Sequence, residues 1–130
     1  MKITNTTDYA IRVLIELADA ENSPLSAMEL SKQIGISDKM MRRVLYVLCK
    51  NDLVFSTRGI KGGYCLARKP QDISIYDIMK ATENSMVICP SIDNTPERWI
   101  NRYYAKVQAD IHQMLKSVTL FQVKQTAGDA

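Results

Sequence analysis

The sequence predicts a mainly α-helical fold with one small β-hairpin wing and a long C-terminal dimerisation helix. Three adjoining features carry that expectation. Two capped helical segments flank a glycine across residues 26–50, a basic glycine-rich hairpin follows at 53–69, and apolar residues then recur in alternating steps of four and three over 100–118. A short helix, a turn, a longer helix and a hairpin form, in that order, a winged helix-turn-helix unit.

The chain has 130 residues, 46% apolar and 24% charged, enough for one domain with a real core and one appended element. Its apolar runs are too short and too interrupted by charge to span a bilayer. No apolar signal segment follows a basic start, so a cytoplasmic location is expected. Cys49, Cys65 and Cys89 lack the paired spacing of a structural zinc site, and their odd number argues against a secreted disulfide scaffold.

The net charge is only +3, but its distribution is uneven. Lys39, Arg42, Arg43, Lys50, Arg58, Lys61, Arg68 and Lys69 face a single acid, Asp52, within residues 39–69. Residues 73–130 balance six basic against six acidic side chains, so the positive field is local, as a surface that meets a polyanion requires.

In chain order, Thr7 is expected to cap a first helix with Asp8 in its first turn, burying Ile11, Leu14, Leu17 and Ala18. Asn22, Ser23 and Pro24 end it. Ser26 and Glu29 form a capping box for a short helix with Met28 and Ile34 facing inward, and Gly35 sits at its stop. Ser37 caps the next helix, where Met41, Val44, Leu45 and Leu48 make an apolar stripe and Lys39, Arg42, Arg43 and Tyr46 another face. That face suits phosphates and base edges, although a solvated helix hairpin would look similar.

The hairpin strengthens the nucleic-acid reading. Strands at 53–57 and 64–67 enclose Gly59, Lys61, Gly62 and Gly63, with Arg58 beside the tip and Arg68 and Lys69 beyond it. A narrow cationic loop suits a minor groove. No helix opens after the Gly-x-x-Gly-Gly run, so it is not a nucleotide phosphate loop.

After a connector at Pro70–Asp72, Ser74 and Asp77 cap a further helix that packs Ile75, Ile78 and Met79. Residues 84–95 read as a loop. Thr95 and Pro96 are expected to open the long helix, whose stripe is Ile100, Tyr104, Val107, Ile111, Met114 and Val118. A twofold partner helix is the simplest cover for that stripe. Leu120, Phe121 and Val123 form a last packed segment before a fraying tail at 126–130. The expected division is a winged domain at 1–83, a connector or sensory loop at 84–95, and a dimerisation helix with a C-terminal segment at 96–125.

The order and wording of these motifs, from MKITNTTDYAIRVLIELA through ELSKQIGIS and LVFSTRGIKGGYCLAR to ISIYDIMKATE and SVTLFQV, resemble the Rrf2 family of bacterial transcription regulators over residues 1–124. That family includes IscR, NsrR and CymR. The resemblance implies a cytoplasmic homodimer, usually a repressor, on a pseudopalindromic promoter site in double-stranded DNA. Lys39, Met40, Arg42, Arg43 and Tyr46 then become recognition-helix residues in the major groove, and Arg58, Gly59, Lys61 and Gly62 wing residues at the minor groove.

The chain departs from the family where cluster-binding relatives place three cysteines. Cys89 matches the first position, Pro90 to Trp99 contains no other cysteine, Arg98 falls near the third, and Asn101 falls near a histidine ligand position of IscR. Asp8 resembles an N-terminal carboxylate of some nitric-oxide-responsive members. An incomplete thiolate set predicts no metal and no iron–sulfur cluster. Cys89 and Asp8 remain candidate sensory residues, Cys89 as a redox-sensitive thiol. Aromatic surface at Trp99, Tyr103 and Tyr104 could receive a small effector. His112 is expected at a surface or interface. A protein-interaction adaptor without DNA is the alternative of another class. No catalytic motif points to an enzyme.

Overall fold

The computed structural model describes residues 1–128. Its helices are α1 (Asn5–Asp19), α2 (Ala27–Ile34), α3 (Asp38–Lys50), α4 (Ile75–Thr82), α5 (Ser91–Asn94), α6 (Trp99–Ser117) and α7 (Leu120–Gly128), with strands β1 (Val54–Thr57) and β2 (Gly63–Leu66) between α3 and α4. The apolar stripes of α1 to α4 meet in one core, where Leu14, Leu30, Met41, Leu45, Leu48, Leu53, Ile73 and Ile78 are fully buried. Truncating one such leucine to alanine costs about 2–5 kcal/mol.

The helix-turn-helix unit forms through the expected cap residues, although at α2 only the Ser26 half of the expected Ser26–Glu29 capping box is made. Ser26 Oγ accepts the Glu29 N–H, Gly35 closes α2 at φ +80°, and Ser37 Oγ accepts the Met40 N–H. Two local expectations are corrected. Thr4, not Thr7, caps α1 by accepting the Thr7 N–H at 3.3 Å, while Thr7 lies one turn inside, completely buried against α4. Met28 faces water, because Leu30, Ser31 and Ile34 occupy the inner face of α2.

β1 and β2 pair antiparallel in the register Val54–Leu66 to Thr57–Gly63. Leu25 joins them through two backbone hydrogen bonds with Tyr64, at 3.1 and 2.8 Å. A Cβ on Gly63 would sit 2.6 Å from the Leu25 carbonyl oxygen, so Gly63 serves this close approach as well as the turn. The hairpin root is thereby anchored to the α1–α2 connection.

The C-terminal third differs most from the pattern reading. Thr95 does not cap the long helix. Its hydroxyl donates to Ser91 O and ends α5, and α6 starts only at Trp99. The helix also stops at Ser117, so Val118 leaves the apolar stripe expected to dimerise. Thr119 explains the break: its hydroxyl accepts the Gln122 N–H, and the Gln122 side chain accepts the Thr119 N–H, a capping box for α7. Val118 O accepts from Ile75 N at 2.9 Å, and Leu120 N donates to Ile73 O at 2.8 Å. Leu120 is fully buried in the core and Lys124 pairs with Asp19 at 3.1 Å, so the chain returns to the winged unit after α6. The expected fraying tail is helical through Gly128; residues 129–130 lie outside the described residues.

Candidate nucleic-acid interface

Burial of Met41, Val44, Leu45 and Leu48 fixes which side of α3 faces outward. Lys39, Arg42, Arg43 and Tyr46 are exposed on it, Tyr46 to 66%. Met40 is half-buried and leans on the core. Among the described residues, the ion pairs are Arg12–Asp8, Arg68–Asp77 and Lys124–Asp19, so the α3 cations are not neutralised within the chain. A row of unpaired cations beside an exposed aromatic ring can bind phosphate and stack on sugar or base.

The hairpin carries the second basic element. Arg58, Gly59 and Lys61 are exposed at its tip and Gly62 is half-buried. Arg68, which the pattern reading grouped with these cations, is engaged elsewhere: it donates to the Asp72 carbonyl and pairs with Asp77 at 3.5 Å. Ile60 also stands exposed at the tip, a position the sequence does not mark, because an apolar residue in a basic loop has no charge signature.

Arg43 also borders a cleft of about 330 Å³ that reaches Lys2, Thr6, Glu83 and Ser85. At its base, Thr4 and Thr7 each donate a hydroxyl to Glu83 Oε2 at 2.6 Å, and Thr82 Oγ1 lies 2.5 Å from Thr7 Oγ1. Burial opposes the Glu83 charge, but the two hydroxyls and nearby Lys2 outweigh it and hold the carboxyl below the usual range. This cluster pins the start of α1 to the end of α4, where the connector begins.

The connector is tied on both sides. The Met1 ammonium donates to Val87 O at 2.9 Å, the Ile88 N–H donates to Gln108 Oε1 at 3.0 Å, and His112 Nε2 lies 2.7 Å from Met86 O. The His112 ring meets Tyr76 edge-on, with centroids 5.1 Å apart. His112 is thus an internal tie between α6 and the connector.

Cys89 is half-exposed, with Sγ 3.1 Å from Ser91 Oγ. The Ser91 hydrogen bonds favour the thiolate, as does the charge of Arg98, and together they outweigh burial and lower the Cys89 pKa. Ser91 also donates to Asn101 Oδ1 at 2.7 Å, so Asn101 and the sulfur compete for one proton. Asn101 is 2% exposed, and its amide donates to Ser91 O at 2.8 Å and Thr95 O at 2.5 Å. Asp8 pairs with Arg12 at 3.5 Å, and the same guanidinium donates to Ile34 O, so Asp8 belongs to the α1–α2 contact. Burial raises the pKa of Cys49, and Cys65 is buried with its thiol 3.6 Å from Asn22 O. A lone thiol beside an amide whose oxygen and N–H groups are all committed does not fit a thiolate-ligated iron–sulfur cluster. Trp99 and Tyr103 are exposed and Tyr104 half-buried on an open surface of α6, away from the clefts at Arg43 and at the end of β2.

The arrangement is a helix-turn-helix with a basic outer face, a hairpin wing and a separate long helix. The family model Rrf2, described as an iron-dependent transcriptional regulator, matches residues 3–126. The chain belongs to the Rrf2 family. It is 36% identical over 94 residues to the HTH-type transcriptional regulator NsrR of Bacillus subtilis, covering 72% of this chain and 64% of that protein. Similarity to the rrf2 protein of Nitratidesulfovibrio vulgaris is 36% over 84 residues, 64% of this chain and 56% of that relative, little more than half its length. IscR of T. potens superposes with a TM-score of 0.75 at 30% identity, over 98% of this chain and 88% of that one. The cysteine regulator CymR of B. subtilis shares the fold, with a TM-score of 0.80 at 23% identity over 97% and 98% of the two chains. The fold is that of a winged helix-turn-helix, shared with IscR of T. potens, and the family model that places the chain is described as a transcriptional regulator. Among the described residues, no helix is long and apolar enough to cross a membrane.

Proposed function

We propose that this Rrf2 regulator acts in the cytoplasm as a homodimeric repressor, reading a pseudopalindromic site in double-stranded promoter DNA. The observation that carries the reading is the outward face of α3, where Lys39, Arg42, Arg43 and Tyr46 stand exposed with their cations unpaired among the described residues. Arg42 and Arg43 divide between base edges and phosphates in the major groove, Met40 adds an apolar contact, and Arg58, Gly59, Lys61 and Gly62 meet the neighbouring minor groove.

A second copy completes the long helix. Ile100, Tyr104, Val107 and Ile111 are only half-buried in the single chain, and Met114 is 57% exposed. At 19 residues α6 is about 28 Å long, long enough to offer this stripe to a second copy over several turns. Signal reception belongs to the connector, where Cys89 is half-exposed with its thiol shifted towards the thiolate. The regulator works without a metal or cluster of its own, and a small effector at Trp99, Tyr103 and Tyr104 is the second route by which the dimer can be biased.

Sedimentation of the protein with a selected duplex, joined to hydroxyl-radical footprinting, tests the reading. Two chains per duplex and two symmetric protected patches one helical turn apart are expected. A single chain per duplex with one patch would contradict it. For the sensory assignment, Cys89 should alkylate with a midpoint below the ordinary thiol value, and Asn101→Ala should shift that midpoint by freeing the Ser91 proton. An unchanged midpoint would remove the Ser91 relay.

A further inference from the structure

The tip of the wing carries an apolar side chain that no described residue covers. Gly59, Ile60, Lys61 and Gly62 form a tight turn, closed by the Gly62 N–H donating to Gly59 O at 3.0 Å. A Cβ at Gly62 would collide with the backbone of Thr57, Arg58 and Gly59, so the turn tolerates no bulk on its inner side. Ile60 and Lys61 take the two corners, and Ile60 is completely exposed, at 107%. Turn corners are ordinarily filled by Gly, Pro, Asn, Asp or Ser, each for a conformational or hydrogen-bonding reason. A stiff β-branched chain supplies neither. One exposed apolar residue on a broad surface needs no explanation. Ile60 instead stands at the apex of a narrow hairpin, next to exposed Arg58 and Lys61, on the loop proposed to meet the minor groove.

We propose that Ile60 is a specificity-determining residue that probes the minor-groove floor and selects A·T over G·C pairs beneath the wing. The assignment rests on the wing-in-groove reading and adds a sequence preference to a loop otherwise expected only to position the protein. Arg58 and Lys61 hold the tip between the two phosphate walls, leaving the branched side chain of Ile60 to enter between them. At an A·T pair the floor presents only the adenine N3 and thymine O2 acceptors, whereas a G·C pair adds the guanine 2-amino group. That amino group occupies the space Ile60 needs, and an alkyl chain pressed over it cannot accept its hydrogen bond, leaving a donor stripped of water.

The test uses the full chain and an operator selected from a random duplex library, with the wing position located by hydroxyl-radical protection. The pair under the tip is set to A·T, G·C or inosine·C, since inosine lacks the 2-amino group but keeps the guanine major-groove edge. The A·T and inosine duplexes should bind alike and the G·C duplex about tenfold more weakly, the scale of one unfavourable base pair. Ile60→Gly, at a solvent-exposed corner, should keep the fold by circular dichroism and bring all three duplexes within about twofold of one another, because the probing group is gone. Equal wild-type binding to all three, inosine behaving like guanine, or full discrimination by Ile60→Gly would overturn the assignment. If α3 protects its groove while the wing protects nothing, the wing placement itself fails and the Ile60 assignment with it.

Discussion

The winged unit and the long helix α6 use apolar residues differently. In the winged unit each helix stripe is satisfied within the chain: Leu14, Leu30, Leu45, Leu48 and Ile78 are fully buried together, and even Leu120 from the C-terminal end joins them. On α6 the stripe is left half-covered, the sole buried residue of that helix is polar Asn101, and the connector is tied to it by hydrogen bonds: Gln108 Oε1 accepts from the Ile88 N–H, His112 Nε2 meets Met86 O, and Asn101 bonds Ser91 and Thr95. A self-contained winged unit is therefore followed by a helix whose outer stripe stays half-covered in the single chain, the face that the proposed dimer would bury. Rigid positioning of base-reading side chains requires the first kind of packing, and a signal-responsive joint is better served by the second.

Five perturbations test that contrast, from the largest effect to the smallest. Leu48→Ala should lower unfolding free energy by about 2–5 kcal/mol in denaturant titration, because it opens a cavity among fully buried neighbours. Ile111→Ala should instead act mainly on subunit association, seen as a rise in the dimer dissociation constant by sedimentation while the secondary structure of the chain persists. Equal loss of chain stability in both would erase the distinction between the two regions.

Arg42→Ala should weaken operator binding by about 1–3 kcal/mol if it touches a base, and in that case should also relax specificity there. A loss that is uniform across sequences would reassign Arg42 to phosphate. Glu83→Gln should cost about 1 kcal/mol near neutral pH by weakening two charge-assisted hydrogen bonds. The folded carboxyl is held below its usual range, so this stabilisation is full above the unfolded pKa and fades as pH falls through the folded one. Wild type and Glu83→Gln should accordingly converge in acid melts; a constant gap would show that the charge is irrelevant.

Ser31→Ala should be neutral or stabilising by up to about 1 kcal/mol, because the buried Ser31 hydroxyl has no hydrogen-bond partner among the described residues. Destabilisation in a thermal melt would reveal a partner.

Most of the winged unit was readable because its signals are local. Ser26, Ser37 and Ser74 cap the helices they precede, Gly35 ends α2, and the period of α3 separates Met41, Val44, Leu45 and Leu48 from the cationic face. The misses were choices between competing local signals or consequences of distant packing. Thr4 and Thr7 can both cap α1, and only the contact with Glu83 and Thr82 shows why Thr7 lies inside. Val118 continues the heptad arithmetic, yet the Thr119–Gln122 capping box ends the helix, a signal present in the sequence but outweighed by the regular spacing. The pairing of Leu25 with Tyr64 and the Met1, Gln108 and His112 ties leave no periodic trace, since they join residues far apart in the chain. Of the interface, the charges were visible and Ile60 was not, because charge clustering was the guide.

The most direct test of the central claim is an equilibrium titration of the wild-type protein against its selected operator and a random duplex of equal length, across a series of salt concentrations. Binding to both should weaken steeply as salt rises, with the operator held at least about a thousandfold more tightly throughout, because phosphate contacts supply the shared affinity and α3 with the wing the difference. Equal affinity for the two duplexes, or binding indifferent to salt, would contradict the assignment of these surfaces to sequence-specific DNA recognition.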